Sequence, residues 1–600
     1  MKEYINDLKI KLYKDKFIIL NMLLSFISTI GIVGYYHIFT PYDLLSNSFI
    51  NIIIFVLFII LFDKINWNKK RNNIFCIIFS VFLSSILILG TQLENNSDIA
   101  WSFITLIKII SLAFSIYPIT SLVLSFLDKY EIKNKNKIKN YKNISLITFI
   151  FIVLFNSLVF LAIYPGEYAY DAGFQILEIL DKDIQITSHF SFLFCFILAH
   201  IVNLGKTIFN SYQTGFAIYC FLQMLFLSFV STKITVYSLK RSNNIYIYLF
   251  SILLFSFFPL YTVMALSAAQ DSLFAGLFAL VILNTLNMCE NKNYWKKISN
   301  PIILSVLILL SCMIRNNGFY AFLVSIPFVT LFNKNKRMLT LLVFLVPLIL
   351  YKIYSGPIYN LIGIQSTDTM NEMLSVPSQQ LARVYNYNNT VFRKKDKVLL
   401  NKYYTKMDEF KYYTWRQSIS DPIKSLIHND NVSNDLFGYI NLWINIGIRD
   451  PENYIEAFLL NTLGYWYPNK NYNDSRMYHP YIEYDMMNAK FWNKKYIDIK
   501  RNSKFKAYDK LLYFTLTKNY WKKIPILSTL FTMGTYFIIF VFLIGITILR
   551  KNWKHFIPLS IIFGLYITLL LSPVGLFRYG FPILMLLPIF ITLIFSKKLS

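Results

Sequence analysis

Residues 144–164 read ISLITFIFIVLFNSLVFLAIY, and no charged side chain interrupts these 21 positions. A helix needs about 20 apolar residues to cross the hydrocarbon core of a bilayer. Six lysines lie between Lys129 and Lys142, just before this segment, and Pro165-Gly166-Glu167 follows it. Short cytoplasmic loops retain Lys and Arg. The segment is therefore expected to begin at the cytoplasmic face and to end outside, where Pro-Gly makes a turn.

The same alternation of basic and uncharged connections recurs along the whole chain. Fourteen apolar segments are predicted to span the membrane: 17–39, 48–62, 74–90, 99–127, 144–164, 211–232, 244–264, 272–289, 301–314, 318–333, 338–355, 524–549, 556–573 and 577–596. The connections around Asp43 and from Thr91 to Asp98 contain no Lys or Arg. The charge alternation thus predicts a multi-pass protein of the cell membrane with both termini cytoplasmic.

Composition supports this class and excludes others. Hydrophobic residues make up 56% of the 600 residues and the mean hydropathy is +0.47, well above a soluble domain. The net charge of +27 lies largely in loops beside apolar segments, so it predicts membrane orientation and contact with lipid headgroups rather than nucleic-acid binding. All five cysteines lie in apolar segments, which predicts neither a disulfide framework nor a thiolate metal site.

One apolar segment, 190–203, is excluded from the spans because it is shorter than a comfortable crossing. Only one crossing fits between the outer segment 165–189 and the basic residues Lys233, Lys240 and Arg241, and 211–232 is the better candidate. Residues 190–203 are therefore expected to lie flat at the outer interface as a juxtamembrane helix.

Four regions follow from this pattern. They are a four-span N-terminal extension (1–143), a transmembrane core (144–355), a polar domain rich in Tyr and Asn (356–523) and C-terminal transmembrane helices (524–600). Residues 356–523 are expected to be mainly helical and to lie outside, since long domains cross the membrane largely regardless of their charge. The predicted fold class is an all-α polytopic membrane protein of about 14 helices.

Three carboxylates stand where predicted spans meet the outer face: Glu167, Asp171 and Asp271. Glu167 or Asp171 could accept a proton from a hydroxyl nucleophile, or hold a metal ion. The alternative makes Asp171 and Asp271 helix N-caps and Glu167 a solvated side chain.

Two arginines, Arg315 and Arg578, occupy equivalent positions at the outer ends of spans. Either could bind a lipid-linked phosphate through its forked donors, or could instead extend to lipid headgroups. Four further residues are predicted to assist in substrate binding: His189, Gln175, Gln270 and Arg383. No nucleotide-binding loop, paired zinc histidines or serine-hydrolase elbow is present in the sequence. An enzyme of this kind would take an activated donor from the membrane.

The order of these features resembles the GT-C superfamily of integral membrane glycosyltransferases, near its protein-mannosyltransferase and aminoarabinose-transferase branch. Asp171 in the first large outer loop, the segment from Phe190, Asp271 two spans later and the domain 356–523 follow one another as in that superfamily. Two departures are visible. His189-Phe190 stands where the superfamily often has His-Pro, and four spans precede the acidic loop where it usually has one.

The chain is also similar to a group of bacterial membrane proteins of unknown function. Three motifs carry this second resemblance: Tyr164-Pro165-Gly166, Ser375-Val376-Pro377-Ser378-Gln379-Gln380 and Trp466-Tyr467-Pro468. Both resemblances cover roughly residues 144–596.

The superfamily resemblance implies transfer of a sugar from a polyprenyl-phosphate donor to a cell-envelope acceptor at the outer leaflet. Asp171 or Glu167 would be the general base, and Asp271 would orient the acceptor or bind a cation. Arg315 and Arg578 would offset charge on the departing phosphate. No residue is predicted as a metal ligand, and a divalent cation remains an open alternative. The competing classes are a transporter or flippase of a lipid-linked intermediate, and an inactive assembly factor.

Overall fold

The computed structural model describes residues 18–35, 48–65, 67, 69–129, 140–168, 171–333, 336–367, 370–414, 420–468, 499–518, 520–524 and 527–596. Within these ranges every regular element is a helix, and β-pairing is confined to isolated bridges. Three predicted features lie outside the described residues: the N-terminal basic segment, most of the lysine-rich connection before residue 144, and residues 469–498 of the polar domain. The all-helical fold class is confirmed for the described part.

The chain divides into two compact units. The first comprises residues 1–131 with 466–469, and the second comprises 132–465 with 470–600. Helices of the first unit are α1 (Ile18–Tyr35), α2 (Ser48–Asp63), α3 (Lys70–Asn96) and α4 (Phe103–Lys129). Small hydroxyl residues let these helices approach closely, as is common in membranes. For example, the Ser115 hydroxyl of α4 donates to the Ser28 carbonyl of α1 at 2.6 Å.

The second unit begins with the helices of the transmembrane core. They are α5 (Tyr141–Ala162), α6 (Ala172–Leu180), α7 (Phe192–Phe209), α8 (Tyr212–Ser242), α9 (Ile245–Phe257), α10 (Pro259–Ala265), α11 (Gln270–Glu290), α12 (Ser299–Ile314), α13 (Asn317–Phe332) and α14 (Arg337–Ile353). A π-helical turn, Tyr354–Ile358, continues α14. The pair α9 and α10 is bent by 57° at Phe258, immediately before Pro259.

The polar domain 356–523, called the helical domain below, is also helical where it is described, as predicted. Its helices are α15 (Tyr359–Leu361), α16 (Met370–Met373), α17 (Ser375–Tyr387), α18 (Lys394–Tyr403), α19 (Asp421–Lys424), α20 (Asn429–Asn434), α21 (Leu436–Arg449), α22 (Pro451–Trp466) and α23 (Lys506–Leu516). Its core is apolar and tyrosine-rich, and the buried Tyr404 and Tyr439 hydroxyls are 2.8 Å apart. The chain ends with α24 (Leu527–Leu530), α25 (Met533–Leu549), α26 (Phe556–Leu570) and α27 (Phe581–Phe595).

The number of helices that can cross a membrane is lower than predicted. Ten helices of the described residues are long and apolar enough, or up to 11 if the bent pair forms one span, where the sequence predicted about 14. Four apolar helices, α2, α12, α13 and α25, have only 16 or 17 residues. At 1.5 Å per residue such a helix extends about 25 Å, less than the hydrocarbon core of about 30 Å.

The predicted juxtamembrane segment 190–203 forms a longer helix than expected. This helix is α7, which has 18 residues and is long and apolar enough to cross a membrane. The helix continues past Asn203 because Gly205 allows close packing on α8. A Cβ atom at Gly205 would fall 2.1 Å from the Cα of Gly215. Length and composition alone do not decide whether α7 crosses or lies at the interface, so its placement and the orientation of the chain in the membrane stay predictions from the sequence.

Helix α11 joins two separate groups of charges. Asp271 lies in its first turn and Glu290 is its last residue. At the Glu290 end, Arg241 Nε lies 3.0 Å and His555 Nε2 lies 3.2 Å from Glu290 Oε1. With 21 residues, α11 extends about 30 Å, which matches the hydrocarbon thickness. The two groups of charges are thus separated by about one bilayer core.

Candidate functional site

Four charged side chains meet at the Asp271 end of α11 and form what we call the charge cluster: Asp171, Asp271, Arg315 and Arg578. Arg315 Nη1 pairs with Asp271 Oδ1. Arg578 Nη2 lies 3.0 Å from Asp171 Oδ2, and its Nε lies 3.8 Å from Asp271 Oδ2. The structure therefore brings together the four residues that the sequence placed at the outer ends of separate spans. Asp171 and Asp271 share one face whatever the number of crossings between them.

The two aspartates do not act as helix N-caps. Asp171 precedes α6 with helical dihedral angles (φ −86°, ψ −13°), and its side chain caps no backbone N–H. Asp271 is the second residue of α11, whose N-cap position is held by Ala269. Both carboxylates instead bind arginine, so the alternative of simple capping is not realised.

The two arginines come from irregular segments at helix ends. Arg315 follows α12 in an extended conformation (φ −151°, ψ 123°), and only Asn316 separates it from α13. Arg578 lies in a short 3₁₀ turn, Phe577–Gly580, before α27. The Tyr579 ring contacts both guanidinium groups, at 4.5 Å from Arg315 and 5.3 Å from Arg578. These contacts hold both guanidinium groups against the Tyr579 ring.

The charge cluster has a buried half and a partly exposed half. Asp271 and Arg315 have side chains only 4% and 9% exposed, whereas those of Asp171 and Arg578 are 26% and 20% exposed. Burial lowers the pKa of Arg315, in the junction between α12 and α13, to about 10. Arg315 therefore stays charged at neutral pH. The two carboxylates and two guanidinium groups give the charge cluster a net charge of zero. Asp171 and Arg578 are the two members that a ligand could reach.

Two predicted glutamines lie next to these acids in the chain. Gln175 is one turn along α6 from Asp171, and its side chain is buried. Gln270 directly precedes Asp271 and is half-buried. The Oε1 atoms of both glutamines are buried without a hydrogen-bond partner among the described residues. Each is an acceptor that a ligand hydroxyl could satisfy.

Glu167 belongs to a different ion pair. Its carboxylate is fully buried, and Arg501 Nη2 donates to Glu167 Oε2 at 2.8 Å. Glu167 is thus not solvated, and its carboxylate accepts from Arg501. Arg501 was not identified from the sequence. It stands some 330 positions from its partner, in a segment without a recognisable motif.

The backbone of Glu167 explains why the two acidic loops are neighbours. Its N–H donates to the Leu266 carbonyl at 3.0 Å, and its carbonyl accepts from the Ala268 N–H at 3.0 Å. Gly166, in the predicted turn, has φ 132°, which residues with a Cβ rarely adopt. Gln223 of α8 reinforces this pairing, since its Nε2 donates to the Ser267 carbonyl at 2.7 Å. The loops before α6 and α11 therefore lie side by side.

The helical domain holds the segment that carries Arg578. Asn461 of α22 donates from Nδ2 to the Ser572 carbonyl at 3.0 Å. The Ser420 hydroxyl donates to the Pro573 carbonyl at 2.8 Å. The Tyr465 hydroxyl accepts from the Leu576 N–H at 3.1 Å. Together these bonds form what we call the loop clamp on residues 572–576. No sequence motif predicted it.

His189 and Arg383 lie away from these contacts. His189 is exposed, and its ring packs against Phe190 at 4.6 Å. Arg383 is buried within the helical domain, where it pairs with Glu456, donates from Nε to Asn453 at 3.1 Å and contacts the Tyr387 ring at 4.5 Å. The structure therefore gives Arg383 partners inside the helical domain, and none of its recorded contacts belongs to the charge cluster.

Glu178 is a further buried acid that sequence reasoning missed. It lies on α6 one turn beyond Gln175, and the Thr187 hydroxyl donates to its Oε1 at 2.9 Å. Burial raises the pKa of Glu178, although the bond from Thr187 and the nearby His189 oppose this. The spacing of Asp171, Gln175 and Glu178 on one face of a short amphipathic helix was the available signal.

Metal binding by side-chain clusters is not indicated in the described part of the chain. Among those residues, no group of three or more His, Cys, Asp and Glu side chains could hold an ion. Each carboxylate of the charge cluster is already paired with an arginine. No residue can therefore be assigned to a cation here.

Long apolar helices and a site at their ends define the class: a multi-pass helical membrane protein. Within this class, the chain belongs to DUF6020, a family of unknown function whose sequence pattern matches residues 181–599. The match includes Asp271, Arg315 and Arg578, while Glu167 and Asp171 precede it. Neither the curated proteins nor the solved structures include a match to this chain.

Proposed function

We propose that this protein is a membrane glycosyltransferase that moves a sugar from a polyprenyl-phosphate donor to a cell-envelope acceptor at the outer leaflet. The observation that carries the proposal is the charge cluster. It sets a partly exposed carboxylate, Asp171, beside a partly exposed guanidinium, Arg578, with a second aspartate–arginine pair behind them. A group transfer that releases a phosphate needs a base and a cationic partner within one site.

The reaction proposed for this site is a single displacement at the anomeric carbon. The acceptor hydroxyl gives its proton to the Asp171 carboxylate while its oxygen forms the new glycosidic bond. The bond between the anomeric carbon and the phosphate oxygen breaks, and the electron pair leaves with the polyprenyl phosphate. Asp171 ends the step protonated and returns the proton to solvent.

The arginines would receive the charge that develops on the leaving phosphate. In the free protein Arg578 bonds to Asp171, so one carboxylate oxygen is already engaged. A donor phosphate would draw Arg578 toward itself and release that oxygen for the acceptor. Arg315, fixed by Asp271 and the Tyr579 ring, would supply a stationary positive charge behind it. Donor binding would therefore activate the base.

The two unsatisfied glutamine oxygens supply the remaining recognition. Gln175 and Gln270 would accept hydrogen bonds from hydroxyl groups of the sugar or the acceptor, which relieves a cost of about 1–3 kcal/mol for each buried unpaired acceptor. Glu167, paired with Arg501, would fix the acidic loops rather than react.

The finer topology is part of this proposal. The chain would reside in the cell membrane with both termini cytoplasmic. The bent pair α9–α10 and the short helices α2, α12, α13 and α25 would each cross once, and α7 would lie at the outer interface, which gives 14 spans. The helical domain would then face outward, beside the acceptor.

The test is reconstitution of the purified protein in proteoliposomes with polyprenyl phosphates that carry radiolabelled hexoses or pentoses. An envelope fraction serves as acceptor. Covalent label in the acceptor, lost in Asp171→Asn, is the expected result. Label that only changes leaflet, or that stays on the donor in the presence of every sugar and acceptor, would overturn the proposal.

A transporter or flippase of a lipid-linked envelope intermediate is the second candidate. The 57° break between α9 and α10 favours it, because transporters bind substrates at broken helices. The charge cluster, however, lies at helix ends and not at that break. The same proteoliposomes separate the two, since a transporter moves intact labelled donor across the bilayer.

A further inference from the structure

A basic cavity lies at one end of the first unit. It has a volume of about 380 Å³ and is lined by Lys64, Lys69, Leu122, Ser125 and Lys129. Lys64 follows the last residue of α2, Lys69 precedes α3, and Lys129 ends α4. Lysines from three separate helix ends thus line one cavity. An excess of basic residues in the loops would not by itself bring them together.

The charged residues named around the cavity have a positive net charge. Asp128 pairs with Lys69 at 2.8 Å, and Asn72 donates from Nδ2 to the same carboxylate oxygen at 3.3 Å. One carboxylate beside three ammonium groups leaves two positive charges among the residues named here. The side chains of Lys69 and Asp128 are 47% and 43% exposed, so the cavity opens to its surroundings.

The connection that carries Lys64 and Lys69 is held in place. Asn73 donates from Nδ2 to the Trp67 carbonyl at 3.0 Å. The Trp67 ring stacks on Tyr117 of α4 with centroids 5.8 Å apart. These contacts fix the connection between α2 and α3 against α4, so the lysines converge without a ligand.

Apolar surface adjoins the basic residues. Leu122 lines the cavity, and on the same helix Ile119 and Phe126 are 50% and 54% exposed. A ligand with a negative head and an apolar tail would satisfy both surfaces. The Ser125 hydroxyl adds a neutral donor at the boundary. Basic pockets between transmembrane helices are known to bind anionic lipid headgroups.

We propose that this cavity is a binding site for the phosphate of an anionic phospholipid, with Lys64, Lys69 and Lys129 around the headgroup and Leu122 against the acyl chain. A free phosphate ion shares the headgroup chemistry but not the apolar contact. The site is independent of the sugar-transfer proposal, since none of its residues belongs to the charge cluster.

The test uses native mass spectrometry of the full-length protein in detergent, titrated with dioleoyl phosphatidylglycerol or dioleoyl phosphatidylcholine. One phosphatidylglycerol is expected to stay bound, whereas phosphatidylcholine is not. The triple variant Lys64→Gln/Lys69→Gln/Lys129→Gln is expected to bind phosphatidylglycerol roughly 100-fold more weakly. Lys292→Gln/Lys296→Gln/Lys297→Gln removes equal charge from another loop and should bind as the unaltered protein does.

Two additional measurements test whether the lipid occupies this cavity. Ser125→Phe fills the cavity but keeps every charge, and it should also abolish retention of the lipid. Inorganic phosphate at millimolar concentration should not displace the lipid. Equal losses in the two triple variants, unchanged binding in Ser125→Phe, or full displacement by inorganic phosphate would each overturn the proposal.

Discussion

Asp271 and Glu290 occupy opposite ends of the single helix α11, and each pairs with an arginine from another helix end. Asp271 binds Arg315, and Glu290 lies 3.0 Å from Arg241 Nε. Helix α11 is about as long as the hydrocarbon core is thick, and these pairs fasten it at both of its ends. The helix cannot shift along its axis without breaking one of them. The charge cluster is therefore built on a fixed support.

The buried half of the charge cluster should be essential for stability. Asp271→Asn leaves the guanidinium of Arg315 buried without its counter-charge, which should lower the free energy of unfolding by about 3–5 kcal/mol. Thermal unfolding in detergent measures this. The double variant Asp271→Asn/Arg315→Gln should recover part of the loss, because neither charge is then left alone. Additive losses in the double variant would contradict the pairing.

The exposed half should matter for turnover rather than for folding. Asp171→Asn keeps the shape of the side chain but removes the proton acceptor, so sugar transfer should fall at least about 100-fold while the melting temperature changes little. Asp183→Asn, exposed in the connection between α6 and α7, is the matched control and should keep full activity. Full transfer by Asp171→Asn would remove this residue as the base.

Glu167 and Arg501 should behave as a structural pair. Glu167→Gln and Arg501→Gln should each destabilise the protein by about 3 kcal/mol, because each removes one member of an ion pair whose side chains are only 1% and 15% exposed. If the proposed transfer takes place, both variants should retain it per folded molecule in the reconstituted assay. Complete loss of transfer in Glu167→Gln alone would instead identify Glu167 as the base. Asp509→Asn, 3.9 Å from Arg501, is a mild control.

Arg383 should support the helical domain rather than bind substrate. Its side chain is 1% exposed and pairs with Glu456, so Arg383→Gln should cost about 3 kcal/mol or more of stability. The Michaelis constants for donor and acceptor should stay unchanged in the fraction that folds. A raised Michaelis constant with an unaltered melting temperature would restore Arg383 as a binding residue.

Acid should weaken the helical domain through Asp435, the N-cap of α21. Hydrogen bonds from Lys402 Nζ, the Tyr403 hydroxyl and a backbone N–H lower the pKa of Asp435 to about 2. Because the pKa of an unfolded aspartate is about 3.9, this stabilisation is complete above pH 4 and is lost as the pH falls toward 2. The difference in melting temperature between the unaltered protein and Asp435→Asn should shrink over that range. Asp408→Asn, an exposed control, should show no such trend.

The charge cluster could be foreseen because its residues interrupt apolar segments. An ionisable side chain at the end of a span is costly to expose to hydrocarbon, so it faces the protein interior or water. Such side chains at the same membrane face can therefore pair with one another. Asp171, Asp271, Arg315 and Arg578 all stood at such ends, so charge alternation alone placed them on a common side. Their pairing distances and the stacking on Tyr579 required the structure.

The rest depended on long-range contacts that no local pattern encodes. Helix α7 is longer than the apolar segment 190–203 indicated, because packing of Gly205 on Gly215 extends the helix beyond Asn203. Arg501 could not be matched to Glu167, since an ion pair between distant segments leaves no spacing to read. The shorter helices also show that hydropathy does not fix where a helix starts.

The loop clamp links the helical domain, which would bind the acceptor, to the segment that carries Arg578, which would bind the donor phosphate. Residues 572–576 are bonded to Tyr465, Asn461 and Ser420 of the helical domain, and Arg578 follows them directly in the chain. An acceptor that tilts α22 would carry this guanidinium with it. Thermodynamic reciprocity then requires that the donor alter acceptor affinity by the same factor by which the acceptor alters donor affinity. A substitution that alters acceptor binding at the helical domain would thus also alter the affinity for the donor.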